Sequence, residues 1–255
     1  MGRAIAIRRP IFELGLKGYL YGKEALELSR AAQRIAREQQ LTMILTPQLI
    51  DVALIANGMD GLLVFAPHLD PVPVGRGTGS VLAEAVKAAG ASGVFLNHSE
   101  RPVSLSHLSR AISRAKEVGL LSIVAVDSPT EAAAVACLGP DMIMAEPAKL
   151  IGGSKAVSSV APDFISQAVS AVKKLNPCIL VLSGAGIRAP EDAASVIRAG
   201  ADGTGSTSGV LSAENPAQML EEMVVAVKHA WVQMHPDGAE PSQQYQTAAH
   251  ETRTL

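Results

Sequence analysis

The amino-acid sequence predicts a single (β/α)8 barrel, an α/β fold in which parallel strands alternate with helices. The chain has 255 residues, which is close to the roughly 250 residues typical of such barrels. Short apolar segments alternate along it with longer segments of helical periodicity. Its hydrophobic content of 48% is mainly aliphatic, because the chain contains only four Phe, three Tyr and one Trp. This composition is typical of an α/β protein.

Eight strands are predicted from short apolar runs that are bounded by turn residues. They cover residues 11–16, 42–45, 61–66, 93–96, 121–126, 142–145, 179–182 and 203–206. The last of these is poor in branched apolar residues, so a loop is the alternative interpretation there. Eight short strands that alternate with helices favour a closed parallel barrel, and an open doubly wound sheet is the competing fold.

Helices are predicted between the strands from their apolar periodicity and their end signals. They cover residues 23–39, 47–58, 81–89, 104–118, 130–138, 163–175, 190–199 and 216–233. The segment after residue 235 lacks this periodicity. We therefore expect one barrel domain over residues 1–235 and a flexible C-terminal tail over residues 236–255.

Charge and cysteine content exclude several classes of protein. The formal net charge is -2, and no basic stripe occurs that would bind nucleic acid. Cys137 and Cys178 have neither disulfide-framework nor metal-ligand spacing, and no nucleotide-binding glycine motif is present. No apolar run is long enough for a signal peptide or a membrane span. We expect a cytoplasmic protein with no metal, no cofactor, and neither a membrane nor a nucleic acid as partner.

Three reactive side chains come at or just after the ends of predicted strands. Lys17 follows the first strand, His98 the fourth and Glu146 the sixth. Taken singly, each has an ordinary explanation: a solvated lysine, a structural histidine, and a glutamate that ends a strand before proline. The C-terminal ends of barrel strands meet at one face, where such enzymes carry their catalytic groups. The three residues are therefore candidates for a common site.

Small residues follow the last two predicted strands. Gly184, Ala185 and Gly186 come after the seventh, and Thr207 and Ser208 after the eighth. Phosphate sites in barrels often lie at these two loops. Backbone N–H groups that small residues leave accessible can bind a dianion, although such turns are also common without a ligand.

Taken together over about residues 11–228, these segments resemble the triosephosphate isomerases, especially the short archaeal type. The resemblance rests on the lysine after the first strand, on Thr78 and Gly79, and on the segments Asn-His-Ser-Glu at 97–100, Ala-Glu-Pro at 145–147, Leu-Ile-Gly at 150–152 and Ser-Gly-Ala-Gly-Ile at 183–187. It implies a TIM barrel that isomerises dihydroxyacetone phosphate and glyceraldehyde 3-phosphate in glycolysis and gluconeogenesis.

The resemblance also implies a role for each candidate. Glu146 would be the base, His98 the group that acts on the oxygens, and Lys17 the cation that favours an enediolate. The segment 148–154 would close over the substrate, with Gly152 at the phosphate. Thr78 and Gly79 would enter a neighbouring subunit, giving a homodimer or homotetramer. No metal or organic cofactor is implied.

Two positions depart from the family's pattern. Gly15 stands where the family has an Asn that reaches the substrate, and the predicted eighth strand is small and polar instead of apolar. Gly15 shares a side of its strand with Lys17, so it is expected to line the substrate pocket. These departures keep two alternatives open: an isomerase of a four-carbon ketose phosphate, and a phosphate-binding barrel without turnover.

Overall fold

The structure, a computed structural model, describes residues 5–151, 162–236 and 243–245. Eight parallel strands pair in chain order, and the last pairs with the first to close a barrel. The strands of the barrel are β2 (Ile11–Gly15), β3 (Thr42–Thr46), β4 (Leu63–Ala66), β5 (Gly93–Leu96), β6 (Leu121–Val126), β7 (Met142–Ala145), β8 (Leu180–Ser183) and β9 (Gly203–Gly205). The predicted (β/α)8 fold is confirmed, and the open doubly wound sheet is excluded.

Helices occupy the connections between these strands and the segment after β9. In the described part of the chain they are α1 (Gly22–Gln39), α2 (Val52–Ala56), α3 (Ala83–Ala88), α4 (Leu105–Glu117), α5 (Pro129–Ala136), α6 (Pro162–Leu175), α7 (Pro190–Arg198), α8 (Ser208–Leu211) and α9 (Pro216–Met234). None of the described helices is long and apolar enough to cross a membrane.

The prediction of a helix over residues 47–58 is wrong for the first part of that range. Leu49–Asp51 forms a 3-10 turn, and the α-helix begins only at Val52. Before the turn, the side-chain amide of Gln48 donates a hydrogen bond to the backbone carbonyl of Lys17. This contact holds the segment after β3 against the segment after β2, and it keeps Gln48 outside the helix.

Two short strands that the sequence did not predict form a separate antiparallel ladder. β1 (Ile5–Ile7) pairs with β10 (Gln243–Tyr245), with Ile5 opposite Tyr245. Ile7 is buried and joins the apolar cluster inside the barrel. Three residues of the segment predicted as a flexible tail are therefore paired with the opposite terminus, because a strand pairing at this separation leaves no local signal in the sequence.

The barrel strands are buried on both faces, which gives two apolar layers. Phe12 and Leu14 of β2 belong to the layer between the barrel and the helices, whereas Ile11 belongs to the cluster inside the barrel. Side chains alternate between the faces of a strand. Glu13 and Gly15 therefore point inward with Ile11, and this places a carboxyl group inside the barrel.

Glycines explain why β9 is a strand despite its poor strand propensity. A Cβ atom on Gly203 would lie 2.5 Å from the backbone oxygen of Ile11, and one on Gly205 would lie 2.9 Å from that of Glu13. Real Cβ atoms are not found so close to backbone. The close approach of β9 to β2 closes the barrel, and it requires residues without side chains. The predicted eighth strand is thus confirmed, and the loop alternative is excluded.

Candidate active site

A cavity of about 420 Å³ opens at the C-terminal ends of the barrel strands. Lys17, His98 and Glu146 all line it, although they come from distant parts of the chain. Of the other residues predicted for the site, the cavity is lined by Gly15, Ala185, Gly186, Thr207 and Ser208. A position at the carboxyl ends of barrel strands is where enzymes of this fold place their active sites.

Lys17 is the second residue after the end of β2, and there the chain takes a left-handed conformation with φ of 46°. Such a φ is uncommon for residues other than glycine and occurs where surrounding structure enforces it. The ammonium Nζ lies 2.9 Å from Oε1 of Glu100, which comes from the segment after β5. This contact places a fixed positive charge at the wall of the cavity.

His98 lies deeper in the cavity than Glu100, and its hydrogen bonds define its tautomer. The backbone N–H of Glu100 donates to Nδ1 at 3.1 Å. Nδ1 is therefore the acceptor, and in the neutral ring Nε2 carries the proton. Burial lowers the pKa of His98, and the charge of Lys17 lowers it further. The imidazole is thus neutral at pH 7 and presents an Nε2–H donor to the cavity.

Glu146 lies opposite this donor, with Oε2 at 3.9 Å from Nε2 of His98. Burial raises its pKa from 4.5 to about 7, and Glu100 raises it as well, while Lys17 and the backbone N–H of Ala185 oppose the shift. A carboxylate with a pKa near the working pH has both a large ionised fraction and a high basicity. Glu146 is therefore suited to accept and return a proton.

Gly184, which was predicted to contact phosphate, lies against the candidate base. It is absent from the described lining of the cavity, and it lies behind the carboxylate of Glu146. A Cβ atom on Gly184 would come within 2.2 Å of Oε1 of Glu146. The glycine therefore makes room for the candidate base. This role cannot be predicted without knowing which side chain lies against Gly184.

The two predicted phosphate loops lie side by side. Ala185 and Gly186 both have left-handed backbones, with φ of 73° and 70°, which turn the chain sharply after β8. The hydroxyl of Ser206 donates to the carbonyl oxygen of Ile187 at 2.9 Å and joins this loop to the one after β9. The first N–H groups of a helix lack partners within it, and α8 begins at Ser208.

The segment predicted to close over the substrate is described only in its first half. Ala148–Leu150 forms a 3-10 turn, and the N–H of Ala148 donates to the carboxylate of Asp127. Ile151 lines the cavity. Gly152, which was predicted to contact phosphate, lies outside the described residues together with the remainder of this segment.

Glu13 is a site residue that the sequence analysis missed. It is buried within the barrel, and its side chain lines the floor of the cavity. Burial raises its pKa from 4.5 to about 8. The strand period already indicated that Glu13 shares a face with Gly15 and Lys17. That signal was available, but a glutamate in a strand is more often directed to solvent.

The model of the triosephosphate isomerase family matches residues 14–223 of this sequence. This match includes every candidate residue of the cavity except Glu13. The chain belongs to the triosephosphate isomerase family. The predicted family, fold and enzyme class, an intramolecular oxidoreductase among the isomerases, are confirmed.

Individual relatives agree with this assignment and with the predicted likeness to archaeal enzymes. The triosephosphate isomerase of Methanothermobacter thermautotrophicus is 39% identical over 220 residues, which cover 86% of this chain and 96% of that protein. The triosephosphate isomerase of Methanothermus fervidus is 36% identical over 218 residues, with coverages of 85% and 98%. Among solved structures, the triosephosphate isomerase of Bartonella henselae matches with a TM-score of 0.69 at 18% identity, covering 87% of this chain and 99% of that one.

Proposed function

We propose that this protein interconverts dihydroxyacetone phosphate and glyceraldehyde 3-phosphate in the cytoplasm, as a step of glycolysis and gluconeogenesis. The observation that carries the proposal is the convergence of three groups on one cavity. These are a carboxylate with a pKa near 7, a neutral imidazole and a fixed ammonium group. The family's name and its match over most of the chain support the same substrate pair.

The reaction moves one proton between adjacent carbons and one between adjacent oxygens. Glu146 accepts a proton from the carbon beside the carbonyl, and the freed electron pair forms the carbon–carbon double bond of an enediolate. Nε2–H of His98 donates to the oxygen that gains charge and transfers a proton between the two oxygens. Glu146 then returns its proton to the neighbouring carbon. This sequence is redox-neutral overall and needs neither metal nor organic cofactor.

Electrostatic stabilisation of the enediolate is assigned to Lys17 and His98. A fixed cation and an oriented donor stabilise a developing oxyanion most strongly where water is excluded. Backbone N–H groups of Ala185, Gly186, Thr207 and Ser208 are proposed to hold the phosphate, with Gly152 completing the site from the segment outside the described residues. Phosphate binding positions the carbon chain between Glu146 and His98, and orientation of this kind contributes strongly to rate.

Glu146→Asp tests the catalytic assignment. The shorter side chain withdraws the carboxylate by about one carbon–carbon bond, and displacements of about 1 Å commonly lower turnover roughly a hundredfold. We expect kcat to fall by roughly that factor while the competitive inhibition constant of inorganic phosphate stays within about twofold. Glu214→Asp, at an exposed position away from the cavity, is the matched control. A near wild-type kcat in Glu146→Asp would exclude Glu146 as the base.

A second candidate is isomerisation of a four-carbon ketose phosphate. Gly15 lacks the family's Asn, and the carboxyl of Glu13 lies beneath it in the cavity. The space above Gly15 is smaller than its lack of a side chain suggests, because a Cβ there would lie 2.9 Å from Oγ1 of Thr207. An Asn at position 15 would therefore need Thr207 to move.

An assay of the purified protein against three- and four-carbon aldose and ketose phosphates separates these candidates. The larger kcat/KM with the triose pair supports the first candidate, and the larger value with a tetrose pair supports the second. Phosphate binding without turnover of any of them would identify a barrel that binds phosphate without catalysis.

We also propose that the segment containing Thr78 and Gly79 docks into a second copy of the chain. These residues are exposed in the connection between β4 and α3, which also contains Val74, a residue that is 70% exposed. A homodimer or homotetramer would cover this segment. Sedimentation analysis of the wild type and of a variant with a shortened segment tests the proposal, and a monomeric wild type would exclude it.

A further inference from the structure

Glu13 places a carboxyl group on the floor of the cavity. The mechanism proposed for Lys17, His98 and Glu146 gives this carboxyl no role. Its side chain points into the barrel from the middle of β2, and it is 7% exposed. Oγ1 of Thr46, at the end of the neighbouring β3, donates to Oε1 of Glu13 at 2.7 Å. One carboxyl oxygen is therefore held in place from the adjacent strand.

Two glycines provide the space for this carboxyl. A Cβ atom on Gly15 would lie 3.4 Å from Oε1, and one on Gly205 would lie 3.1 Å from Oε2. Any side chain at Gly205 would press against the group from β9, and one at Gly15 would cover it from above. The absence of a side chain at both positions therefore leaves the Glu13 carboxyl open to the cavity.

The protonation state of Glu13 follows from its surroundings. Burial raises its pKa to about 8, Glu146 raises it further, and the hydrogen bond from Thr46 and the charge of Lys17 oppose the shift. At neutral pH the group is mainly a carboxylic acid. Since Thr46 donates to Oε1, the acid proton belongs on Oε2, for which the described residues provide no hydrogen-bond partner.

We propose that Glu13 is a substrate-binding residue whose Oε2–H donates a hydrogen bond to an oxygen of the sugar chain. Glu13 lies deeper in the barrel than Gly15, whereas the phosphate loops lie at the rim, so the oxygen it meets belongs to the carbon chain. A neutral acid donates to a hydroxyl or carbonyl oxygen without adding a negative charge beside the enediolate. This inference rests on the proposed function and adds a specificity residue to it.

Binding of two unreactive phosphate esters tests the contact without requiring turnover. Propyl phosphate and sn-glycerol 3-phosphate share a phosphate and a three-carbon chain, but only the second carries hydroxyl oxygens. At pH 7 we expect the wild type to prefer glycerol 3-phosphate. The preference should fall by roughly tenfold in Glu13→Met, which keeps the length of the side chain and removes the donor. Glu13→Gln retains a donor and should keep the preference within about threefold.

The result that would overturn the inference is an unchanged preference in folded Glu13→Met. Asp141→Asn is the matched control, because Asp141 is also a partly buried carboxyl with a raised pKa. It lies at the opposite end of the barrel, bonded to the backbone N–H of Ser122 at 2.8 Å. A loss of preference in this control equal to that in Glu13→Met would show a general effect of the barrel interior and would also overturn the inference.

The pH profile provides a second readout if Glu13→Met does not fold. In the wild type, kcat/KM should decline above about pH 8, as Glu13 ionises and its charge opposes the enediolate. His98 and Glu100 also face this space, and both have lowered pKa values, so neither titrates in this range. Glu13→Gln should remove the decline, and a decline that persists would overturn the inference. If the wild type fails to isomerise trioses while the ligand preference shifts as expected, the proposed function fails and the Glu13 contact stands.

Discussion

Asp202 at one end of the barrel and the carboxyls of Glu13 and Glu146 at the other are buried in different surroundings. At the N-terminal end, Asp202 lies 3.0 Å from Arg9 and 2.9 Å from Lys173, and it accepts from the backbone N–H of Val181. At the C-terminal end, burial raises the pKa values of Glu13 and Glu146. Paired carboxylates stabilise a fold, whereas carboxyls with raised pKa values can exchange protons near neutrality. Asp202 is therefore placed to hold the barrel together, whereas Glu13 and Glu146 are placed to exchange protons.

The largest effect is expected for a variant that tests the stabilising role of Asp202. Asp202→Ala removes both ion pairs and leaves the buried N–H of Val181 without its acceptor. We expect the free energy of unfolding to fall by about 3 kcal/mol, while kcat/KM stays within about twofold. Urea denaturation measures the first quantity and a coupled assay the second. Asp60→Ala, at an exposed position, should change neither, and a large loss of kcat/KM in folded Asp202→Ala would contradict this role.

Gly184→Ala tests the catalytic end with an intermediate effect. The added Cβ would lie 2.2 Å from Oε1 of Glu146, so the carboxylate must move, while the backbone at this residue does not have a positive φ. We expect kcat to fall roughly tenfold or more, because the base is displaced, with a change in stability below about 1 kcal/mol.

Gly58→Ala is the matched control for this variant, because a Cβ there would come no closer than 3.9 Å to any neighbour. It should leave both quantities near their wild-type values. If Gly184→Ala unfolded the protein without changing the kcat of its folded fraction, Gly184 would have a packing role instead.

The smallest effect concerns pH. Glu146 must be ionised to accept a proton, and its pKa is raised to about 7. We expect kcat/KM to be about half of its plateau at pH 7. Below pH 7 it should fall roughly tenfold for each unit by which the pH is lowered. The raised pKa also stabilises the fold below pH 4.5, and this contribution is lost as pH rises to about 7. An acid limb centred near pH 4.5 would show that Glu146 has an ordinary pKa.

Most of the candidate site was predictable because strand ends meet in a barrel. Lys17, His98 and Glu146 each follow a strand, and this position alone predicted their meeting. Two features of the site were not predicted: the contact of Gly184 with Glu146 and the burial of the Glu13 carboxyl. The first depends on which side chain lies against Gly184 in space, and the sequence contains no local record of that neighbour. The strand period did place Glu13 on the face of Gly15 and Lys17, but the burial that raises its pKa arises only in the closed barrel.

The sequence by itself determined the alternation of strands and helices, the strand ends that carry reactive groups, and the glycines of β9. These features follow from local periodicity and from the chemistry of single residues. Only the tertiary structure decided that β9 closes against β2, that β1 pairs with β10, and that the carboxyls of Glu13 and Glu146 have raised pKa values. Each of these depends on contacts between distant segments and on exclusion of water, and both arise only when the barrel closes.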